Sequence, residues 1–300
     1  MKILFVGCGD IGIRVTRAIP DSELRLSCQI QAMRRNPSAL PVGIDSIKGD
    51  LCNSSDLLAV LDRSNIDVII VTLTADSMSD QGYLDSYVAG AKALKMAATS
   101  TKNPPSLVIW ISSSGVYGQT DGEWVDELSE VAPRSFRGKR LVQAEQLVSS
   151  LSTSRTVDPN SSIKSTVIRF SGIYGPGRNR LVNQIRQGNI APIEPVAWTN
   201  RIHSEDCAGV IVHLLEQYSQ GKSLGGLYLA TDDEPSSAHE TQSWLAEELG
   251  LYFSVKGKGK NNKQAGILSN RRCSNKLLKK SGYKFLFPTF REGYSSLLKE

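Results

Sequence analysis

The stretch Lys2-Ile3-Leu4-Phe5-Val6-Gly7-Cys8-Gly9-Asp10-Ile11-Gly12 constrains the fold more tightly than anything else in these 300 residues. Four consecutive apolar side chains suit a strand buried on both faces. The glycines arrive where such a strand must turn into a helix, expected over about 11–19. In a G-x-G-x-x-G turn each glycine has its own task. Gly7 permits the tight turn, Gly9 lets the backbone approach a pyrophosphate, and Gly12 lets the helix pack close to the strand. The free N–H groups at the helix start, around Asp10 and Ile11, then face the phosphates. A glycine turn that holds no ligand is the competing reading; the flanking strand and helix favour a dinucleotide site.

A second strand is expected over 28–33 and ends in Arg34-Arg35, near where a ribose-binding residue belongs, about 20 residues past the glycines. An acid there accepts from the 2′-hydroxyl of NAD. Arginine instead presents a permanent charge and a fork of donors suited to a 2′-phosphate, so NADP is the expected cofactor, against the alternative of two surface arginines at a strand end. Further strands are expected over 44–51, ending in Gly49-Asp50-Leu51, and over 66–72, 107–111 and 163–170. Helices are expected over 55–61, 82–99 and 136–150. The fifth strand delivers Ser112-Ser113-Ser114-Gly115-Val116-Tyr117-Gly118 to the carboxyl edge of the sheet, where open α/β folds bind ligands. Alternating strands and helices with no internal repeat predict an α/β, doubly wound parallel sheet. The expected division is residues 1–175 as the dinucleotide-binding domain, with a return strand near 226–230, and residues 176–300 as a smaller substrate lobe. Helices are expected there over 181–187, 204–218, opened by Ser204 or Asp206, and 238–249.

Composition excludes several classes. No apolar run approaches the roughly 18 residues of a membrane span, and the amino end lacks a cleavage pattern, so no membrane association and a cytoplasmic location are expected. Five scattered cysteines with no C-x-x-C pair argue against a disulfide framework or a metal site. The net charge of +5 is mild. It gathers partly at 256–263 and 271–280, but no aromatic residues interleave with those lysines, so an anion-binding lobe is favoured over a nucleic-acid surface.

Several segments together resemble an extended short-chain dehydrogenase/reductase, the group that includes nucleotide-sugar epimerases and dehydratases. They are Gly7-x-Gly9-x-x-Gly12, Gly49-Asp50-Leu51, Ser112 to Gly118, Arg169 with Ile173-Tyr174-Gly175-Pro176-Gly177, Ile202-His203-Ser204-Glu205-Asp206, and Phe287 to Gly293, in the family's order across nearly the whole chain. The resemblance implies a Rossmann-type strand order in that α/β, doubly wound sheet, that Asp50 lies beside the adenine, that Ser113 hydrogen-bonds the reacting oxygen, that the lobe after Tyr174 holds the substrate, and that the chain can dimerise through helices near 83–99 and 137–150.

The chain departs from that family at the Y-x-x-x-K pair. The register that matches Gly138 and Glu145 puts Arg137 at the tyrosine position and Leu141 at the lysine position; another offers Ser135-x-x-x-Lys139. Neither supplies a tyrosine, and an arginine can clamp an anion but cannot exchange a proton. The chain therefore resembles the atypical extended members. The site residues expected are Ser113, Arg137 and Tyr117 for chemistry, and Gly7, Gly9, Asp10, Ile11, Gly12, Arg34, Arg35, Asp50 and Leu51 for the cofactor. Tyr174 and His203 are further candidate acids with structural alternatives, and Arg137, Arg178 and Arg201 are candidate partners for an anionic small-molecule substrate. Two functions stay open: an NADP-dependent oxidoreductase or epimerase-like enzyme, and a non-catalytic NADP-responsive sensor.

Overall fold

The computed structural model describes residues 1–41, 44–157, 162–251 and 270–299. The basic run at 256–263 lies outside them. Seven strands form the central sheet: β1 (Lys2–Val6), β2 (Gln29–Arg34), β3 (Asp45–Lys48), β4 (Val68–Val71), β5 (Leu107–Ser113), β6 (Lys164–Phe170) and β7 (Leu227–Ala230). Their spatial order is β7-β6-β5-β4-β1-β2-β3, and every pairing is parallel. This is the Rossmann order extended by one outer strand, the expected return near 226–230. The order reverses between β1 and β4, and the crevice at their carboxyl ends is where such sheets take ligands.

The two-sided burial follows from β1's composition. Ile3 and Phe5 face one layer, with Val15 of α1 (Asp10–Ala18) and Ile211, Leu214 and Leu215 of the helix Ser204–Ser219. Leu4 and Val6 face the other, with Leu57 and Leu61 of α2 (Ser54–Arg63), Leu94 and Ala97 of α3 (Ala89–Ser100), and Ala144 and Val148 of α4 (Phe136–Ser149). At roughly 2 kcal/mol for each fully buried aliphatic or phenyl group, this sandwich fixes where the glycine turn emerges.

The expected helix over 82–99 is interrupted. Asp80–Tyr83 is α-helical, Leu84–Val88 is a π-helical segment, and α3 follows. Ser79 caps the start, accepting from the Gly82 N–H at 3.0 Å. The helix Ser204–Ser219 is capped by His203, whose Nδ1 accepts from the Glu205 N–H at 3.2 Å, and not by Ser204 or Asp206.

Beyond Gly175 the chain returns twice to the first unit, once as Ser204–Ser219 against α1 and once as β7. What remains is a small lobe. Its core holds Tyr174, Val182, Ile185, Leu245, Phe290 and Tyr294, from the helices Arg180–Arg186, Ala238–Glu248 and Phe290–Leu297 and the strand Gly172–Tyr174. That strand pairs with Arg201–His203, and Arg271–Cys273 pairs with Glu123–Val125, stitching lobe to sheet.

Candidate functional site

Gly7 has φ +93°, and a Cβ there would lie 2.7 Å from the Thr72 carbonyl oxygen, so only glycine fits the turn. Gly9 differs. Among the described residues nothing lies within 4 Å of where its Cβ would stand, so its face is open. At Gly12 a Cβ would meet Cys8 Sγ at 3.1 Å and Thr72 Oγ1 at 3.2 Å, so its smallness serves close packing of α1 on the turn and the end of β4. Among the described residues no side chain caps the start of α1, whose first N–H groups stay available to an anion.

Beside that helix start, Asp10 accepts from Arg14 Nε at 2.9 Å and from Arg178 Nη2 at 2.8 Å, and Arg14 also pairs with Glu205. Partial burial works to raise the Asp10 carboxyl, but the hydrogen bonds and charges of Arg178 and Arg14 prevail and hold it below its usual value. At the end of β2, Arg34 Nη1 donates to the Cys8 carbonyl at 3.2 Å. Arg35 makes two bonds to Asp76, at 2.7 and 2.5 Å, in an exposed pair of the kind worth at most about 1 kcal/mol and easily exchanged. Asp50 accepts from the Cys52 N–H at 3.0 Å, and Leu51 is buried.

Between the carboxyl edge of the sheet and the lobe runs a cleft of about 920 Å³. Gly9, Asp10 and Ile11 border it at one end. Ser113, Arg137 and Gly138 border it at the other, with Ile173 and Arg178 from the lobe side and Tyr83, Tyr87 and Phe136 as an aromatic wall. Ser113 and Arg137 belong to one corner. A Cβ on Gly138 would stand 2.6 Å from the Gly115 carbonyl oxygen, and Ser113 Oγ accepts from the Gly115 N–H at 3.1 Å. Arg137 is exposed and makes no hydrogen bond or ion pair among the described residues; its guanidinium lies 5.7 Å from the Phe136 ring centroid. Leu141 is buried and apolar. Arg134, Arg137 and Arg178 thus face the cleft with Asp10 as the one carboxylate among its described lining residues.

Beneath this corner sits a buried ion pair. Arg169 Nη2 donates to Glu145 Oε2 at 2.6 Å, and Glu145 Oε1 accepts from Ser112 Oγ at 2.5 Å. Tyr117 belongs to the same framework. It borders the cleft but is 1 % exposed, its hydroxyl donates to the Asp126 carbonyl at 2.6 Å and accepts from Arg169 at 2.9 Å, and burial pushes its phenol up to about 12. That geometry assigns Tyr117 to support, with no proton to exchange with the cleft. Tyr174 is buried against Tyr294, with ring centroids 4.5 Å apart, and burial raises its phenol as well. His203 is 2 % exposed and acts as a cap; burial and the charge of Arg14 depress its imidazole to about 4. Arg201 is buried under Phe290 and donates to Ser236 at 2.6 Å, so it is spent inside the lobe. The aromatic wall at Tyr83 and Tyr87, ring centroids 5.2 Å apart, was not singled out in the sequence: the pair stands at the i,i+4 spacing of any helix face, and that spacing alone does not say that the face lines a cleft.

Residues 6–228 match the model of the NAD dependent epimerase/dehydratase family. No curated protein matches the chain in sequence. Among solved structures, a protein from Methylobacillus flagellatus, provisionally described as a NAD-dependent epimerase/dehydratase, is 30% identical, with a TM-score of 0.78 over 99% of this chain and 97% of that one. The UDP-glucose 4-epimerase of Thermus thermophilus, in complex with NAD, is 16% identical with a TM-score of 0.76 over 100% and 98%. The human epimerase family protein SDR39U1, with NADPH, is 16% identical with a TM-score of 0.72 over 100% of both chains. At those last two identities the likeness is one of fold.

Proposed function

The chain belongs to the NAD dependent epimerase/dehydratase family, and from that premise we propose that it is an NADP(H)-binding, epimerase-like oxidoreductase acting on an anionic small molecule that carries a hydroxyl or carbonyl group, a nucleotide sugar among them. The observation that carries this reading is the open face of Gly9 beside the uncapped start of α1, at the sheet's reversal point and in one cleft with Ser113 and Arg137. The backbone of Gly9, Asp10 and Ile11 would hold the pyrophosphate, and Asp50 and Leu51 the adenosine. Arg34, with Arg35 released from Asp76, would hold a 2′-phosphate. When bound, the nicotinamide supplies or accepts hydride.

The chain's own residues do the rest. Ser113 Oγ, held by the Gly115 N–H, can donate its proton in a hydrogen bond to a substrate oxygen. Arg137 can clamp a carboxylate or phosphate through two donors. The second reading, a sensor without turnover, draws on Arg137 and Leu141 standing where the family keeps its tyrosine and lysine.

The test is the ratio of dissociation constants for NADPH and NADH, measured in the wild type and in Arg34→Asp. A preference for NADPH that falls by about tenfold or more is expected, the loss of about 1.4 kcal/mol or more of phosphate contact. An unchanged ratio would overturn the NADP assignment.

A further inference from the structure

A carboxylate at the first position of α1 suits the helix dipole but repels any phosphate that approaches the same N–H groups. Asp10 stands there. Two arginines hold its side chain, and their remaining capacity differs. Arg14 is fully engaged: Nε donates to Asp10 at 2.9 Å, Nη1 to Glu205, and Nη2 to the Pro176 carbonyl at 3.4 Å. Arg178 places both Nε and Nη2 on one oxygen of Asp10, at 3.2 and 2.8 Å, and its Nη1 has no hydrogen-bond partner among the described residues.

Arg178 reaches the helix start from the lobe side, on a backbone that is fixed there. Its N–H donates to the Gly175 carbonyl at 3.0 Å and closes a turn in which Gly177 has φ +80°. Gly175 packs on Ser204, whose Cβ would lie 3.1 Å from a Cβ added to the glycine, and the helix Ser204–Ser219 packs in turn on α1. Arg178 is exposed and lines the same cleft as Gly9, Asp10 and Ile11. The other two arginines of the cleft, Arg134 and Arg137, stand at the start of α4. There Arg134 Nη2 donates to Thr120 Oγ1 at 3.4 Å and Arg137 lies against Phe136, and among the described residues neither bonds to the glycine turn or to Asp10.

We propose that Arg178 is a cofactor-binding residue supplied by the lobe: while Nε and Nη2 stay on Asp10, the free Nη1 donates to an oxygen of the bound dinucleotide's diphosphate. The proposal rests on reading the cleft as a nicotinamide-dinucleotide site. A guanidinium serves two anions at once because its donors fan out in one plane. Its charge also offsets the repulsion that Asp10 would otherwise exert on the diphosphate, since Asp10, Arg14, Arg178 and Glu205 form a network with two charges of each sign. The diphosphate is common to NADPH and NADH, so Arg178 strengthens the binding of both alike. Arg34, by contrast, is assigned to the one group that distinguishes them.

The experiment measures dissociation constants for NADPH and NADH, by the fluorescence of the reduced nicotinamide, in the wild type, Arg178→Gln and Glu205→Gln, with a thermal melt of each to show that it is folded. Arg178→Gln is expected to weaken both nucleotides by the same factor, about tenfold or more, the loss of one hydrogen bond between charged groups. Glu205→Gln breaks the neighbouring ion pair between lobe and α1 and leaves Arg178 in place, so its affinities are expected to stay within about twofold of the wild type. Wild-type affinities in Arg178→Gln, a loss confined to NADPH, or an equal loss in Glu205→Gln would each overturn the assignment of Arg178 alone. Failure of the wild type to bind either nucleotide would overturn the reading of the cleft on which it rests.

Discussion

Asp232 shows how much a single buried group can dictate. It is 1 % exposed, and among the described residues neither carboxylate oxygen has a hydrogen-bond partner of good geometry. Burial pushes its carboxyl up to about 8, against the opposing pull of the Arg201 charge and the nearby Glu234 backbone. An acid raised in this way is neutral in the fold and ionised once unfolded, so the stability present at low pH drains away as pH climbs from about 4 to about 8. Asp232→Asn keeps the shape without the titration. Its melting temperature is expected to exceed that of the wild type by a margin that widens from pH 5 to pH 8, equivalent to about 2–4 kcal/mol. His203, neutral across this range, is common to both proteins and cancels. A margin that stays constant with pH would contradict the account. Residues of this kind were not legible beforehand: the sequence ranks Tyr174, His203 and Arg201 as polar groups near motifs, and only three-dimensional burial turns them into lobe structure.

Among the elements, the turn from β1 to α1 was the most legible, because four apolar residues and three spaced glycines allow one geometry. Its glycines separate function from stability. Gly9→Ala places a methyl in open space at φ −78°, so folding stability should stay within about 0.5 kcal/mol of wild type while affinity for NADPH falls at least about tenfold. Parallel thermal melts and titrations check this; a variant that binds NADPH as the wild type does would contradict the place assigned to the phosphates. Less legible were the π-helical segment at Leu84–Val88, whose extra residue per turn leaves no pattern, and the paired strands Glu123–Val125 and Arg271–Cys273. Strands of three residues exist because tertiary contacts hold them, and carry too few side chains to show alternation.

At the scale of the molecule, the two halves are bound together around one crevice. The later half supplies Ser204–Ser219 and β7 to the first unit, and Arg178 reaches back to Asp10 while Arg14 pairs with Glu205. A charged network thus ties the lobe to the helix start where an anion would sit. Among the described residues no helix is long and apolar enough to cross a membrane. A doubly wound sheet could be anticipated from the alternation of β and α segments, and its Rossmann strand order from the family resemblance. The interior of the cleft could not, because Ser113, Arg137 and Tyr83 come from three elements that only folding brings together. The most direct test of the whole account is calorimetric titration of the purified protein with NADPH and, separately, NADH. Saturable heat with about one NADPH per chain, and weaker binding of NADH, is the predicted result; no heat from either nucleotide would contradict it.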